Sequence, residues 1–139
     1  MAAFTALVQA VFVLTSPAFA AGQTMPIRFT CAGADVSPPL RWTAPPPGTL
    51  AFSVRLVDLD TQPQFRHWYL TGLRGGLRGL TAATRAGQAH RNDFGSTGYG
   101  GPCPPVGQTH RYLFELDALG PRGTTLAEAR LTVTFRGRH

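Results

Sequence analysis

Three stretches of this chain alternate their side chains with period two, and that alternation restricts the possible folds more than any other feature. Leu50, Phe52, Val54 and Leu56 alternate with Ala51, Ser53, Arg55 and Val57. His110, Tyr112, Phe114 and Leu116 oppose Arg111, Glu115 and Asp117, and Leu131, Val133 and Phe135 repeat the pattern near the C-terminus. Period two lays one apolar row along one face of a strand. Between these stretches, 16 Gly and 12 Pro supply turns and leave little room for long helices. At 139 residues the chain is one domain's worth, large enough to bury a core without metal or several disulfides. A mostly β domain is expected, with further strands at Ile27 to Cys31 and Arg66 to Thr71. In the latter, His67 and Tyr69 take one face and Trp68 and Leu70 the other. Pro45, Pro46, Pro47 and Gly48 read as a stiff connector, Leu73 to Gln88 as irregular, and Thr125 to Ala129 as about one helical turn.

The same alternation places chemistry at strand ends. Asp58 falls on the apolar face of its strand, where a carboxylate has to find a partner or sit at a pocket mouth, because an unpaired buried charge is very costly. His110 and Tyr112 share a face at the start of the next long strand, directly after the Gly- and Pro-rich loop that begins at Asn92. Two imidazoles and a phenol can donate to phosphate or carboxylate oxygens, and the loop, through Gly100 and Gly101, can add backbone N–H groups in a concave nest. Asp58 can orient one imidazole and raise its pKa, so anion affinity is expected to weaken as pH rises through the histidine range. Arg111, facing away, is expected to pair with Asp93 or another loop acid. Asp58, His67 and His110 show no compact ligand spacing such as His-x-x-x-His, and no metal or other cofactor is expected.

Charge excludes some partners. The net charge of +6 arises from 13 Arg with no Lys at all. The arginines are scattered, so no stripe for nucleic acid forms, and no phosphate-loop lysine exists. The first charge is Arg28, and before it an apolar run from Phe4 to Leu14 leads to Ser16, Pro17 and Ala18-Phe19-Ala20. That resembles a secretory signal peptide spanning residues 1–20, followed by one domain over 21–139, the alternative being a first core strand or helix. The run is too short and too interrupted for a membrane span. Export to the periplasm or beyond is then expected; without a signal the location would be the cytoplasm. Cys31 and Cys103 are the two cysteines, and oxidising conditions favour one bridge between them, worth about 2–4 kcal/mol. Two free thiols, or a reactive Cys103 near His110, are the alternatives.

Several motifs carry a family resemblance: FTCAGADVSPPLRW from Phe29 to Trp42, VDLDTQ from Val57 to Gln62, His67-Trp68, NDFG from Asn92, GYGGPCPP from Gly98 to Pro105 and HRYLFELDAL from His110 to Leu119. Together, in this order, they resemble the phosphatidylethanolamine-binding protein family, and within it the bacterial members labelled Raf-kinase-inhibitor-like. The resemblance implies a central antiparallel sheet packed on a smaller one, with a small anion-accepting pocket at one end. It implies ligand contacts at Asp58, His67, His110 and Tyr112, bordered by Pro104 and Pro105. The partner implied is a small anion or phospholipid head group; inhibition of a partner enzyme, such as a protease or kinase, through surface loops is a further reading. Leu59 and Gln62 replace two prolines of the family's acidic segment, and the C-terminal helical region is short. A hydrolase using Cys103 or Ser96 as nucleophile with His110 as base is the enzymatic alternative; Gly95-Ser96-Thr97-Gly98 lacks the spacing of a nucleophile elbow.

Overall fold

The computed structural model describes residues 11–138. Eight strands form two antiparallel sheets: β1 (Leu14–Thr15), β2 (Leu40–Trp42), β3 (Ala51–Asp58), β4 (Phe65–Arg74), β5 (Gly79–Leu80), β6 (Gln88–Ala89), β7 (Thr109–Leu119) and β8 (Thr125–Arg136). The large sheet has the order β6-β4-β3-β7-β8 and the small one β1-β2-β5. The two longest alternating stretches pair with each other, Val54 opposite Leu116, Leu56 opposite Phe114 and Asp58 opposite Tyr112. On the far side of β7, Tyr112 opposes Val133 and Phe114 opposes Leu131. Three apolar rows thereby merge into one face, and the small sheet covers it: the Trp42 and Phe52 ring centroids lie 5.2 Å apart. Phe52, Val54, Leu56, Tyr112, Phe114, Leu116 and Val133 are fully buried. Each such aliphatic or aromatic side chain contributes on the order of 1.5–3 kcal/mol by leaving water.

The opposite face of the large sheet is ionic. Glu115, itself buried, is gripped by Arg55 and by Arg130 Nε at 3.5 Å. Asp117 lies beside them, pushed up to about 6 by burial first and by the neighbouring Glu115 and Glu128 charges second.

Three local expectations are corrected. Ile27–Phe29 is a 3-10 turn rather than a strand, because Pro26 sets the entry and the Thr30 hydroxyl and N–H both close onto Ile27 O, at 2.8 and 3.0 Å. Thr125 to Ala129 is not helical but the start of β8. One helical turn is too short to repay its nucleation, whereas the ladder with β7 sets Ala127 against Ala118 and Ala129 against Leu116. Leu50 stands just outside β3 and is exposed, its N–H donating to Leu119 O at 2.8 Å.

The first half of the expected leader, residues 1–10, lies outside the described residues. Its second half is packed into the domain: Leu14 is buried and pairs with Trp42, Ser16 Oγ donates to Pro39 O at 2.7 Å, and Phe19 stacks on Phe114. A cut after Ala20 would remove β1 and these contacts. Among the described residues no helix is long and apolar enough to cross a membrane.

Candidate functional site

One end of the large sheet carries a recess of about 130 Å³ lined by Asp58, Thr61, Phe65, His67, Phe94, Cys103, Pro104, Pro105, His110 and Tyr112. Strand pairing assembles its floor. Asp58 ends β3 directly opposite Tyr112 of β7 and Phe65 of β4. A register shift in the β3–β4 ladder, Leu56 opposite Trp68 but Val57 opposite Arg66, leaves His67 as the extra residue of a bulge. A bulge puts two consecutive side chains on the same side. His67 and Trp68 therefore both turn inward, His67 to the recess and Trp68 to the core, and Tyr69 goes to the ionic face. The expectation that His67 and Tyr69 share a face is corrected accordingly.

The polar groups are fixed by their partners. His110 Nδ1 donates to Asp58 Oδ2 at 2.6 Å, and Asp58 Oδ1 accepts the Asp60 N–H at 2.8 Å. Asp58 is thus the carboxylate that orients an imidazole, and that imidazole is His110. His110 Nε2 faces Gln108 Oε1 at 3.3 Å. The Arg111 guanidinium and N–H clamp Asp60, as short as 2.6 Å, and hold its carboxyl down at about 2. Arg111 is structural, and its acid is Asp60 rather than Asp93, which accepts the Arg66 N–H instead. On the other side, His67 Nδ1 donates to Gly100 O at 2.7 Å. Burial pulls the His67 pKa below its ordinary value, only partly offset by the Gly100 carbonyl and the Asp58 charge.

Aromatic rings fill the rest. Phe65 lies 4.9 Å from His67 and 4.7 Å from Phe94, and Tyr112 meets the His67 ring edge-on at 5.4 Å. The Tyr112 hydroxyl is sealed and lacks a hydrogen-bond partner. Burial, then the nearby Asp58 carboxylate, raises its pKa, so the phenol stays protonated.

The Gly-Pro loop closes the wall by close backbone approach. A Cβ on Gly101 would lie 2.2 Å from Phe29 O, so only glycine fits there. Tyr99 Oη donates to the same Phe29 O at 2.6 Å, and Cys31 bonds Cys103 across a separation of 72 residues.

Six of the eight residues expected to touch ligand meet at the recess: Asp58, His67, His110, Tyr112, Pro104 and Pro105. Gly100 and Gly101 stand behind it with their N–H groups already used, by His67 O at 3.0 Å and Asp35 Oδ1 at 2.7 Å, so they form no open nest. Phe65, Phe94 and Thr61 escaped sequence reasoning, although Phe94 stands within the NDFG motif. The nucleophile alternative loses both candidates, since the Cys103 sulfur is bonded to Cys31 and Ser96 lines a different cleft from His110. Among the described residues the acidic or histidine group close enough to share one ion is Glu115, Asp117 and Glu128 on the ionic face, away from this recess.

The described residues thus form a β domain of two packed sheets, with a small recess of paired carboxylate, imidazoles and phenol at a sheet end. The chain belongs to the phosphatidylethanolamine-binding protein family, whose sequence profile matches residues 15–136. Within that family it lies in the YbhB/YbcL-type branch. It is 36% identical over 146 residues to LppC of Mycobacterium tuberculosis, covering 89% of this chain and 72% of the relative; that name assigns a lipoprotein only provisionally. It is 39% identical over 97 residues to UPF0098 protein YbhB of Escherichia coli, covering 63% and 61%. The solved structure of E. coli YbcL superposes with a TM-score of 0.85 at 26% identity, covering 93% of this chain and all of that one.

Proposed function

We propose that this protein binds a small oxyanion, a phosphate or carboxylate group, in the recess bounded by Asp58, His67, His110 and Tyr112. The observation that supports this most is the Asp58–His110 pair. Both Asp58 oxygens are satisfied from within the protein, so the carboxylate organises an imidazole instead of repelling a ligand. Arg111 offsets Asp60 next door, and the overall charge of +6 draws anions toward the surface. The recess is narrow and mostly aromatic, suited to the polar tip of a ligand rather than to a whole molecule. Phe94 at its mouth is half exposed, an apolar rim for whatever the anionic group is attached to. A phospholipid head group, as the family's name implies, fits that division of labour.

Among the described residues neither Cys103, bonded to Cys31, nor Ser96, in another cleft, stands ready as a nucleophile for His110, which favours binding over turnover. The protein works outside the cytoplasm in this account, a periplasmic or secreted setting. The exposed Cys31–Cys103 bridge and the LppC relative support this, rather than a cut after Ala20. Inhibition of a partner enzyme is the second reading, favoured by exposed Phe94 and Val106 flanking the recess.

Titration calorimetry with phosphoethanolamine and with inorganic phosphate tests the central point. His110→Ala should weaken binding of both at least about tenfold, the loss of one charge-assisted hydrogen bond. Unchanged affinity in that variant would rule the recess out as the anion site.

A further inference from the structure

His67 has a hydrogen-bond arrangement that determines what its free nitrogen presents to a ligand. A carbonyl oxygen only accepts, so the 2.7 Å contact between Nδ1 and Gly100 O requires a proton on Nδ1. In the neutral ring Nε2 is then a bare lone pair. It has no hydrogen-bond partner, it is not sealed off, and the ring lines the recess. Facing the ring are Asp58 from β3, His110 and Tyr112 from β7, and Phe94 from the loop, with Asp35 behind Gly101. Of these acids, Asp58 is taken by His110 and the Asp60 N–H, and Asp35 by the Gly101 N–H. His110 gives its Nδ1 proton to Asp58, and its Nε2 lies 3.3 Å from the exposed Gln108 Oε1, a contact that a ligand oxygen can displace. His67 is 3% exposed among aromatic rings, and that burial disfavours its charged form. An oxyanion arriving at this recess therefore meets a lone pair, acceptor against acceptor, a buried polar conflict that is unfavourable unless a proton stands between them.

We propose that the recess takes up its anion together with one proton, held between a ligand oxygen and Nε2 of His67. The proposal rests on the anion reading above. It makes affinity proton-linked through a named atom. A ligand oxygen that can carry the proton itself, as in a phosphate monoester in its singly charged form, satisfies the lone pair directly. A fully ionised anion has to protonate the buried ring instead. The Nδ1–H bond to Gly100 persists in both cases and keeps Nε2 aimed at the ligand.

The test is calorimetry of phosphoethanolamine binding to the intact protein at about pH 8, where the ester phosphate has lost its last hydroxyl and the pH is above the ordinary imidazole range, in two buffers of different ionisation heat. Uptake of close to one proton per phosphate is expected, with affinity falling about tenfold per pH unit in that region. His67→Gln offers an amide N–H in place of the lone pair, and should bind phosphoethanolamine with a proton count near zero; its thermal unfolding checks that it folds. Saturable wild-type binding with no proton uptake overturns the proposal while leaving the anion reading standing. Undiminished uptake in His67→Gln overturns it too, because the proton then belongs elsewhere. Absence of phosphoethanolamine binding at every pH overturns the anion reading and the proposal with it.

Discussion

Removing the Cys31–Cys103 bridge by the double substitution Cys31→Ser, Cys103→Ser should cost a large part of the fold's stability. The bridge joins residues 72 apart. A loop of that length loses on the order of 15 cal/mol/K of unfolded-chain entropy, or roughly 4 kcal/mol at room temperature, against the 2–4 kcal/mol typical of disulfides. Three native contacts span the same junction: Cys31 N–H to Pro102 O at 3.2 Å, Tyr99 Oη to Phe29 O at 2.6 Å and Gly101 N–H to Asp35 Oδ1 at 2.7 Å. They keep the folded loop in place but do nothing to the unfolded ensemble, so they do not replace the bridge. For a domain of this size the loss corresponds to a fall in Tm on the order of 10–15 °C. Thermal unfolding by circular dichroism, oxidised against reduced and against the double variant, measures it; mass spectrometry after alkylation should find two reactive thiols only after reduction. A Tm unchanged to within a degree or two would refute the entropy argument and show that the junction is held without the bridge.

Two further outcomes follow from the packing and the charges. Asp117→Asn should raise stability at neutral pH. The folded carboxyl titrates near about 6 instead of 3.8, so its protonated form stabilises the fold and that contribution is lost as pH rises from about 4 to about 6. Two pKa units correspond to about 2.7 kcal/mol, and partial exposure reduces this to roughly 1 kcal/mol. Urea titrations at about pH 4 and about pH 7 should show most of the variant's advantage at the higher value, and an equal effect at both would contradict the assignment. A chain beginning at Ala21 lacks β1, buried Leu14 and the Phe19–Phe114 stack, so it should melt below the full chain and expose Trp42 and Leu131 to an apolar dye; equal Tm values would make residues 11–20 dispensable.

Much of this fold was legible because burial writes itself into strands as period two. Ala51 to Asp58 and His110 to Leu119 were recoverable, and with them the burial of Asp58 and the shared face of His110 and Tyr112. The small sheet was not, since strands of two or three residues such as β1 and β5 are too short to show a period. The β8 start was misread because Leu126-Ala127-Glu128-Ala129 consists of good helix formers; β7 overrides that preference by offering a ladder. The bulge at His67 is a property of pairing between strands rather than of one sequence, and the face assignment there failed for that reason. Gly100 and Gly101 are glycines for close packing against Phe94 and Phe29, not for open N–H groups. That distinction appears only once their neighbours are in place.

The anion recess is tested most directly by ¹⁵N-imidazole NMR of the histidine side chains during a titration with inorganic phosphate. His67 and His110 should shift together and saturate with one dissociation constant. His90, hydrogen-bonded to Thr71 and outside the recess, should stay unmoved. Movement of His90 with His67 and His110 silent would contradict the account.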